Sequence, residues 1–164
     1  MNAKTRTPSA RRLAKASPQR KDTIRIELEQ LDDAYHFSAT SPEGHVVHLD
    51  TAAALGGSNQ GVRPMQLLLM GLGGCSGIDI VNILRKQKQP LESLKILVDG
   101  RRQQNVEPAL FEAIEVTFVL QGELDPAKVL RAADLSMQKY CSVAKTLEKT
   151  AEITYTVNIN GETV

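Results

Sequence analysis

The sequence predicts an α+β fold. Strand-period alternation appears near both ends of the chain, a long apolar helical run occupies the middle, and two helical segments follow the second group of strands. The first alternation is Asp22–Gln30, with Ile24, Ile26 and Leu28 on one face and Arg25, Glu27 and Glu29 on the other, a half-buried strand. Leu31-Asp32-Asp33-Ala34 turns the chain into a second strand, Tyr35–Thr40, and Ser41-Pro42-Glu43-Gly44 turns it into a third, His45–Asp50. Ala52–Arg63 is a connection of small residues with Gly56, Gly57 and Gly61. Pro64 then stands where the first residue of a helix belongs, and the pattern stays helical from Met65 to Lys88. Between Leu67 and Leu84 only Asp79 and Asn82 interrupt the apolar character, so this reads as the buried central helix. Pro90 ends it. Leu94–Arg102 alternates as a strand with Leu94, Ile96 and Val98 inward. Asn105–Pro108 turns it into Phe111–Leu120, with Phe111, Ala113, Val116 and Phe118 between charges. Asp125-Pro126 caps a helix running to about Lys139, and a short helix follows Cys141 with Val143, Ala144 and Leu147 on one face. Ala151–Asn160 closes the chain as a strand, and Asn160-Gly161 turns at its end.

Composition narrows the function classes. At 164 residues the chain has one domain's worth of material. It has no Trp, three Tyr and three Phe, which weighs against base stacking or an aromatic cage. Residues 1–21 hold seven basic side chains and no acid, whereas the remainder carries 13 basic against 19 acidic residues. The expected division is a basic flexible tail over 1–21 and one domain over 22–164, with nucleic acid unlikely as a partner. The tail lacks the apolar segment of a secretory signal, and with two cysteines and no such signal the expected location is cytoplasmic. A membrane span is not expected. Gly71, Gly73, Gly74 and Gly77 thin the apolar run, and a central Asp79 costs about 2.5–3.5 kcal/mol in a bilayer. Those four glycines should cost the helix about 4 kcal/mol against alanine, so a close backbone approach is expected to offset them.

The two cysteines carry what chemistry the chain announces. Cys75 closes Met70-Gly71-Leu72-Gly73-Gly74-Cys75 inside the central helix, where a thiol is either packing or a nucleophile. Cys141 heads a short helix, whose N-terminal field favours a thiolate; the alternative is a small residue fitted beneath that helix. His36, His45 and His48 do not combine with the cysteines in any zinc-type spacing, so no metal is expected. The chain has no G-x-S-x-G, Walker loop or dinucleotide fingerprint, and no cofactor is expected.

Arg63-Pro64-Met65-Gln66-Leu67-Leu68-Leu69-Met70-Gly71-Leu72-Gly73-Gly74-Cys75-Ser76-Gly77-Ile78-Asp79-Ile80-Val81, with Lys139-Tyr140-Cys141-Ser142-Val143 downstream, resembles the OsmC/Ohr family, more narrowly its YhfA-like branch. The similarity covers roughly residues 22–160. The resemblance implies an OsmC-like fold of antiparallel sheets around a buried central helix, and an intertwined homodimer whose central helices pack together. It implies thiol-dependent reduction of organic hydroperoxides in response to oxidative stress. Cys75 would be the peroxidatic thiol, Cys141 the resolving one, and a dithiol of the lipoyl type the reductant.

The chain departs from that pattern in two places. The family's activating glutamate, ten residues before the first cysteine, is Met65 here, with Gln66 beside it. No arginine lies in Tyr35–Asp50 to be its partner, which leaves Arg63 as the nearby substitute. Asp79 sits one helical turn from Cys75, where a carboxylate opposes a thiolate. It either hydrogen-bonds elsewhere or serves as the acid for the leaving alkoxide. The alternatives to a weak peroxidase are a dimer that binds an apolar or sulfur-containing small molecule without turnover, and a structural dimer.

Overall fold

A computed structural model describes residues 23–164. The basic tail over 1–21 and the first residue of the expected 22–164 domain lie outside the described residues. The chain forms two sheets and three helices. A three-stranded antiparallel meander comes first: β1 (Glu27–Gln30), β2 (Phe37–Thr40) and β3 (Val46–Leu49). Then follow α1 (Pro64–Lys86), β4 (Leu91–Arg102), β5 (Phe111–Gly122), α2 (Pro126–Leu135), α3 (Ser142–Leu147), β6 (Glu152–Ile159) and β7 (Glu162–Thr163). The second sheet has the order β4-β5-β6-β7.

The larger sheet keeps one face for the core. Cross-strand register aligns Ile96 with Phe118 and Phe118 with Val157, and Leu94 with Leu120 and Leu120 with Ile159. The helices cover this face, and Leu72, Ile80, Leu84, Phe118, Leu120, Val129 and Val157 are buried within it. The inward set Leu94, Ile96 and Val98 is as the alternation predicts. On β5 the expected Phe111, Val116 and Phe118 are buried, together with Ile114 and Leu120, and only Ala113 departs from the expected set. The irregular pairing at Arg101/Arg102 shifts Phe111 out of step with the residues after it, so a uniform period misassigns the strand's start.

Three further expectations are corrected. The sheets are antiparallel except at one place: β5 and β6 run parallel, joined by a crossover through α2 and α3. Alternation alone carries no strand direction. The first strand is shorter than Asp22–Gln30, and its apolar side chains are exposed, with Ile24 at 81% and Leu28 at 57%. Its alternation is real, but none of the described residues covers that apolar face. The central helix is likewise covered on one side only. Leu72, Gly73, Ser76, Gly77, Ile80 and Leu84 are buried, while Met70 and Ile78 are 54% and 64% exposed. By length and composition α1 could cross a bilayer, with a mean hydropathy of 1.8, but one face of it packs on β4 as the helix of a folded core.

The helical glycines divide into two groups. A Cβ on Gly73 would stand 3.3 Å from Val98 Cγ2, and one on Gly77 would stand 2.6 Å from Ile96 Cδ1. These two let α1 lie low on β4. Gly74 has nothing within 4 Å, and Gly71 only Val143 at 3.9 Å. The expected close approach is therefore helix to sheet in the protomer, and it accounts for only half of the glycines.

The chain reaches α1 through a tightly held loop. Val62 bridges to Leu49 in parallel, the Val62 N–H donates to His48 O at 2.9 Å, and the Asp50 N–H donates to Val62 O at 3.1 Å. Gly61 passes so close to β3 that a Cβ there would meet the His48 carbonyl at 2.6 Å. The obstacle is backbone and cannot rotate away. Gly61→Ala is expected to destabilise the fold by about 1–3 kcal/mol, the usual range for overpacking, read as a lower urea midpoint in equilibrium unfolding.

Candidate functional site: two cysteines between three helical segments

The site begins at the start of α1. Pro64 occupies the first helical position, and the Arg63 N–H donates to Gln66 Oε1 at 2.9 Å, closing the N-terminus. The Arg63 guanidinium is held by the loop it leaves, donating to Gly61 O at 2.9 Å and Asn59 Oδ1 at 2.7 Å. It therefore caps and braces the loop and makes no recorded bond to a sulfur. Met65 packs against the hydrophobic core.

The loop is organised by Asp50, which is buried and accepts the N–H groups of Thr51, Ser58 and Gln60. The Gln60 N–H above all holds its carboxyl below the usual range. Nearby, the rings of His36 and His48 meet, Nε2 to Nδ1, at 2.8 Å. The two histidines were separate in sequence, and strand register brings them together. No cluster of three metal-ligating side chains occurs among the described residues.

Cys75 is half-buried on α1, on the flank facing the α2–α3 segment. Cys141 is fully buried at the N-cap of α3, and both thiols are free. The fold brings them near one another: the Cys75 thiol is close enough to help raise the Cys141 thiol above its ordinary range. The Cys141 sulfur also accepts the Ala144 N–H at 3.4 Å.

The expectation that the helix N-terminus would favour a thiolate at Cys141 is corrected by burial. Desolvation raises the thiol from an ordinary value of 9.0 to about 11, against the downward pull of the Ala144 N–H. The nearby Cys75 thiol contributes to the same rise. Six residues of helix offer little field, and a sulfur with no solvent contact has little else to stabilise its charge.

Between the cysteines lies a link the sequence reading did not find. The helix after Asp125-Pro126 leaves α geometry at Ser136 and makes one π turn, Ser136–Tyr140, closed by the Cys141 N–H donating to Ser136 O at 2.9 Å. The buried Ser136 hydroxyl lies 3.1 Å from Asp79 Oδ2 and 3.3 Å from the Ser76 carbonyl oxygen. Asp79 thus has a partner away from Cys75. A single serine in a helical stretch gives no signal of this, and a 3.6-residue period cannot show the wider turn.

Beside this centre, Gln66, Leu69, Met70, Gly73, Gly74, Leu94, Ile96 and Val98 line an apolar groove of about 610 Å³. Cys75 is not among its lining residues, although Gly74 precedes it in the chain.

The comparisons with known proteins agree with this architecture. Residues 57–156 match the family described as OsmC-like protein. Protein YhfA of Escherichia coli (strain K12) is 37% identical over 124 residues, covering 75% of this chain and 89% of that protein. A crystal structure of a hypothetical protein from Aquifex aeolicus VF5 superposes with a TM-score of 0.70 at 30% identity, covering 85% of this chain and 98% of the other. An organic hydroperoxide resistance protein from Elizabethkingia anophelis, solved with crystallant-derived thiocyanate bound, superposes with a TM-score of 0.67, covering 87% of this chain and 100% of the other. Its 16% identity bears on the fold alone.

The raised Cys141 thiol has a consequence for stability against pH. Its folded value lies above its unfolded value, so its contribution is fully present below 9.0 and is lost as pH rises toward about 11. Urea midpoints measured across that window should fall more steeply for the wild type than for Cys141→Ala. Equal slopes would mean that Cys141 ionises as freely in the folded protein as in the unfolded chain.

Proposed function

The chain belongs to the OsmC-like protein family, and on that footing we propose that it reduces organic hydroperoxides with Cys75 as the attacking thiol and Cys141 as the resolving one. The observation that carries this reading is the nearness of a half-exposed thiol on α1 to a fully buried one at the start of α3. In this reading Cys75 meets the substrate and Cys141 meets only Cys75.

The chemistry follows from that asymmetry. The Cys75 thiolate attacks the terminal peroxide oxygen; an S–O bond forms, the O–O bond breaks, and the alkoxide leaves and takes a proton from water as the alcohol. Cys141 then attacks the sulfenic sulfur; the S–S bond forms, the S–O bond breaks, and hydroxide departs as water with the Cys141 proton. An external dithiol, of the lipoyl type by family resemblance, reduces the disulfide and becomes a disulfide itself. Burial keeps Cys141 protonated until a sulfenic acid is beside it, which suits a thiol that must not react first. With Arg63 bound to its loop and Met65 packed against the core, Cys75 has no activating cation of the family's pattern among the described residues, so turnover should be slow.

The same reading includes a homodimer in the cytoplasm. Its support is the apolar surface left open on α1 at Met70, Gly74 and Ile78, and on and beside the first sheet at Ile26, Leu28 and Tyr35. Light scattering on a sizing column should give a dimer for the wild type and a monomer for Ile78→Glu. A monomeric wild type would remove this part of the proposal.

The groove of about 610 Å³ favours one second reading, binding of an apolar small molecule without turnover, because its wall excludes the thiol. Counting free thiols over time after adding cumene hydroperoxide to the reduced protein separates the two. Loss of two thiols per chain at micromolar peroxide, abolished by Cys75→Ser, supports the reductase. Two thiols still free at millimolar peroxide would leave only the binding protein.

A further inference from the structure

We propose that Asp79 is a positioning residue for the thiol pair: through Ser136 it holds the segment that carries Cys141 against the helix that carries Cys75. The inference rests on the cysteine pair cycling between dithiol and disulfide.

The geometry is a closed circuit of four side chains. Cys75 and Asp79 are four positions apart on α1 and therefore stack on one face, one turn apart. Ser136 and Cys141 are five positions apart and are joined by the π turn, the Cys141 N–H donating to Ser136 O at 2.9 Å. The two rungs of this ladder are the Asp79–Ser136 hydrogen bond at 3.1 Å and the neighbouring thiols of Cys75 and Cys141.

The π turn is what makes the rungs parallel. At about 100° per residue, five positions on an α-helix end roughly 140° apart, and Cys141 would face away from α1. The wider turn brings the fifth residue back toward the face of the first. The polar rung therefore sets the separation of the sulfur rung.

The chemistry suits such a role. Ser136 is fully buried, and its one hydroxyl hydrogen has a carboxylate and the Ser76 carbonyl oxygen as acceptors. A hydrogen bond to a carboxylate is stronger than one between neutral groups. Asp79 itself is half-buried, at the edge of the contact that Ser136 closes from within.

Equilibration with reduced and oxidised glutathione tests the proposal without using peroxide. Two glutathione thiols become one glutathione disulfide as the Cys75–Cys141 disulfide becomes two thiols, so the ratio measures how strongly the fold favours the bridge. Asp79→Ala and Ser136→Ala should each weaken the disulfide about tenfold, what one charge-assisted hydrogen bond is worth. The double variant should be no worse than either single one. Asp79→Asn, which keeps an acceptor for the hydroxyl, should stay within about threefold of the wild type. A merely architectural contact is lost equally from both redox forms; it would lower the unfolding midpoint and leave the glutathione equilibrium unmoved.

Folded Ala variants with the wild-type equilibrium overturn the proposal, as does Asp79→Asn behaving like Asp79→Ala. Should Asp79→Ala fail to fold, Ser136→Ala, which removes one oxygen, decides alone. A wild type that forms no disulfide at any glutathione ratio also overturns it. A wild type that forms the disulfide in glutathione but ignores hydroperoxide leaves the clamp standing and removes the peroxidase.

Discussion

The low seating of α1 on β4 is the constraint from which the rest follows. Gly73 and Gly77 present no side chain to the sheet, so Leu94, Ile96 and Val98 fill the space beneath the helix directly. That contact fixes the rotation of α1 about its own axis. Cys75, two residues from each of those glycines, is turned about 200° from Gly73 and so lies on the side of α1 away from β4. The same rotation exposes Met70, Gly74 and Ile78. One packing contact thus decides which thiol meets which neighbour and which stripe of the helix is left open.

The two thiols differ because their surroundings do. Cys141 is carried into the core by the crossover between β5 and β6, where no water reaches it and its proton is held. Cys75 stays at the edge of that core. A dithiol with one exposed and one buried member has a built-in order of reaction, since the accessible sulfur must be oxidised before the buried one has anything to attack.

Much of this was legible in the residues, for identifiable reasons. Leu94, Ile96 and Val98 declared their inward face because one face of β4 meets apolar groups and the other meets water. Pro64 marked the start of α1 because its fixed φ suits the first helical position. Ile24, Ile26 and Leu28 declared an apolar face too, but none of the described residues covers it. What stayed hidden depended on distance in space. The parallel run of β5 and β6, the meeting of His36 with His48 and the Ser136–Asp79 bond arise from strand direction, strand register and helix packing, which local pattern does not encode. The electrostatics of Cys141 were misread because a helix terminus is visible in sequence and the depth of a sulfur is not. That the cysteines are neighbours came from the resemblance of their motifs to a known family, and spacing alone was silent on it.

The π turn between Ser136 and Tyr140 is an α-helix holding one residue more than its register allows. The reach of Cys141 toward α1 is therefore a matter of chain length in that segment more than of composition. Exchanging one exposed side chain there for another leaves the count, and so the reach, intact. Losing a single residue would let the helix close into regular register and rotate the second sulfur away, with the sheet and the core helix untouched. For a protein built this way, the mutational step that separates a paired thiol from a solitary one is a one-codon deletion.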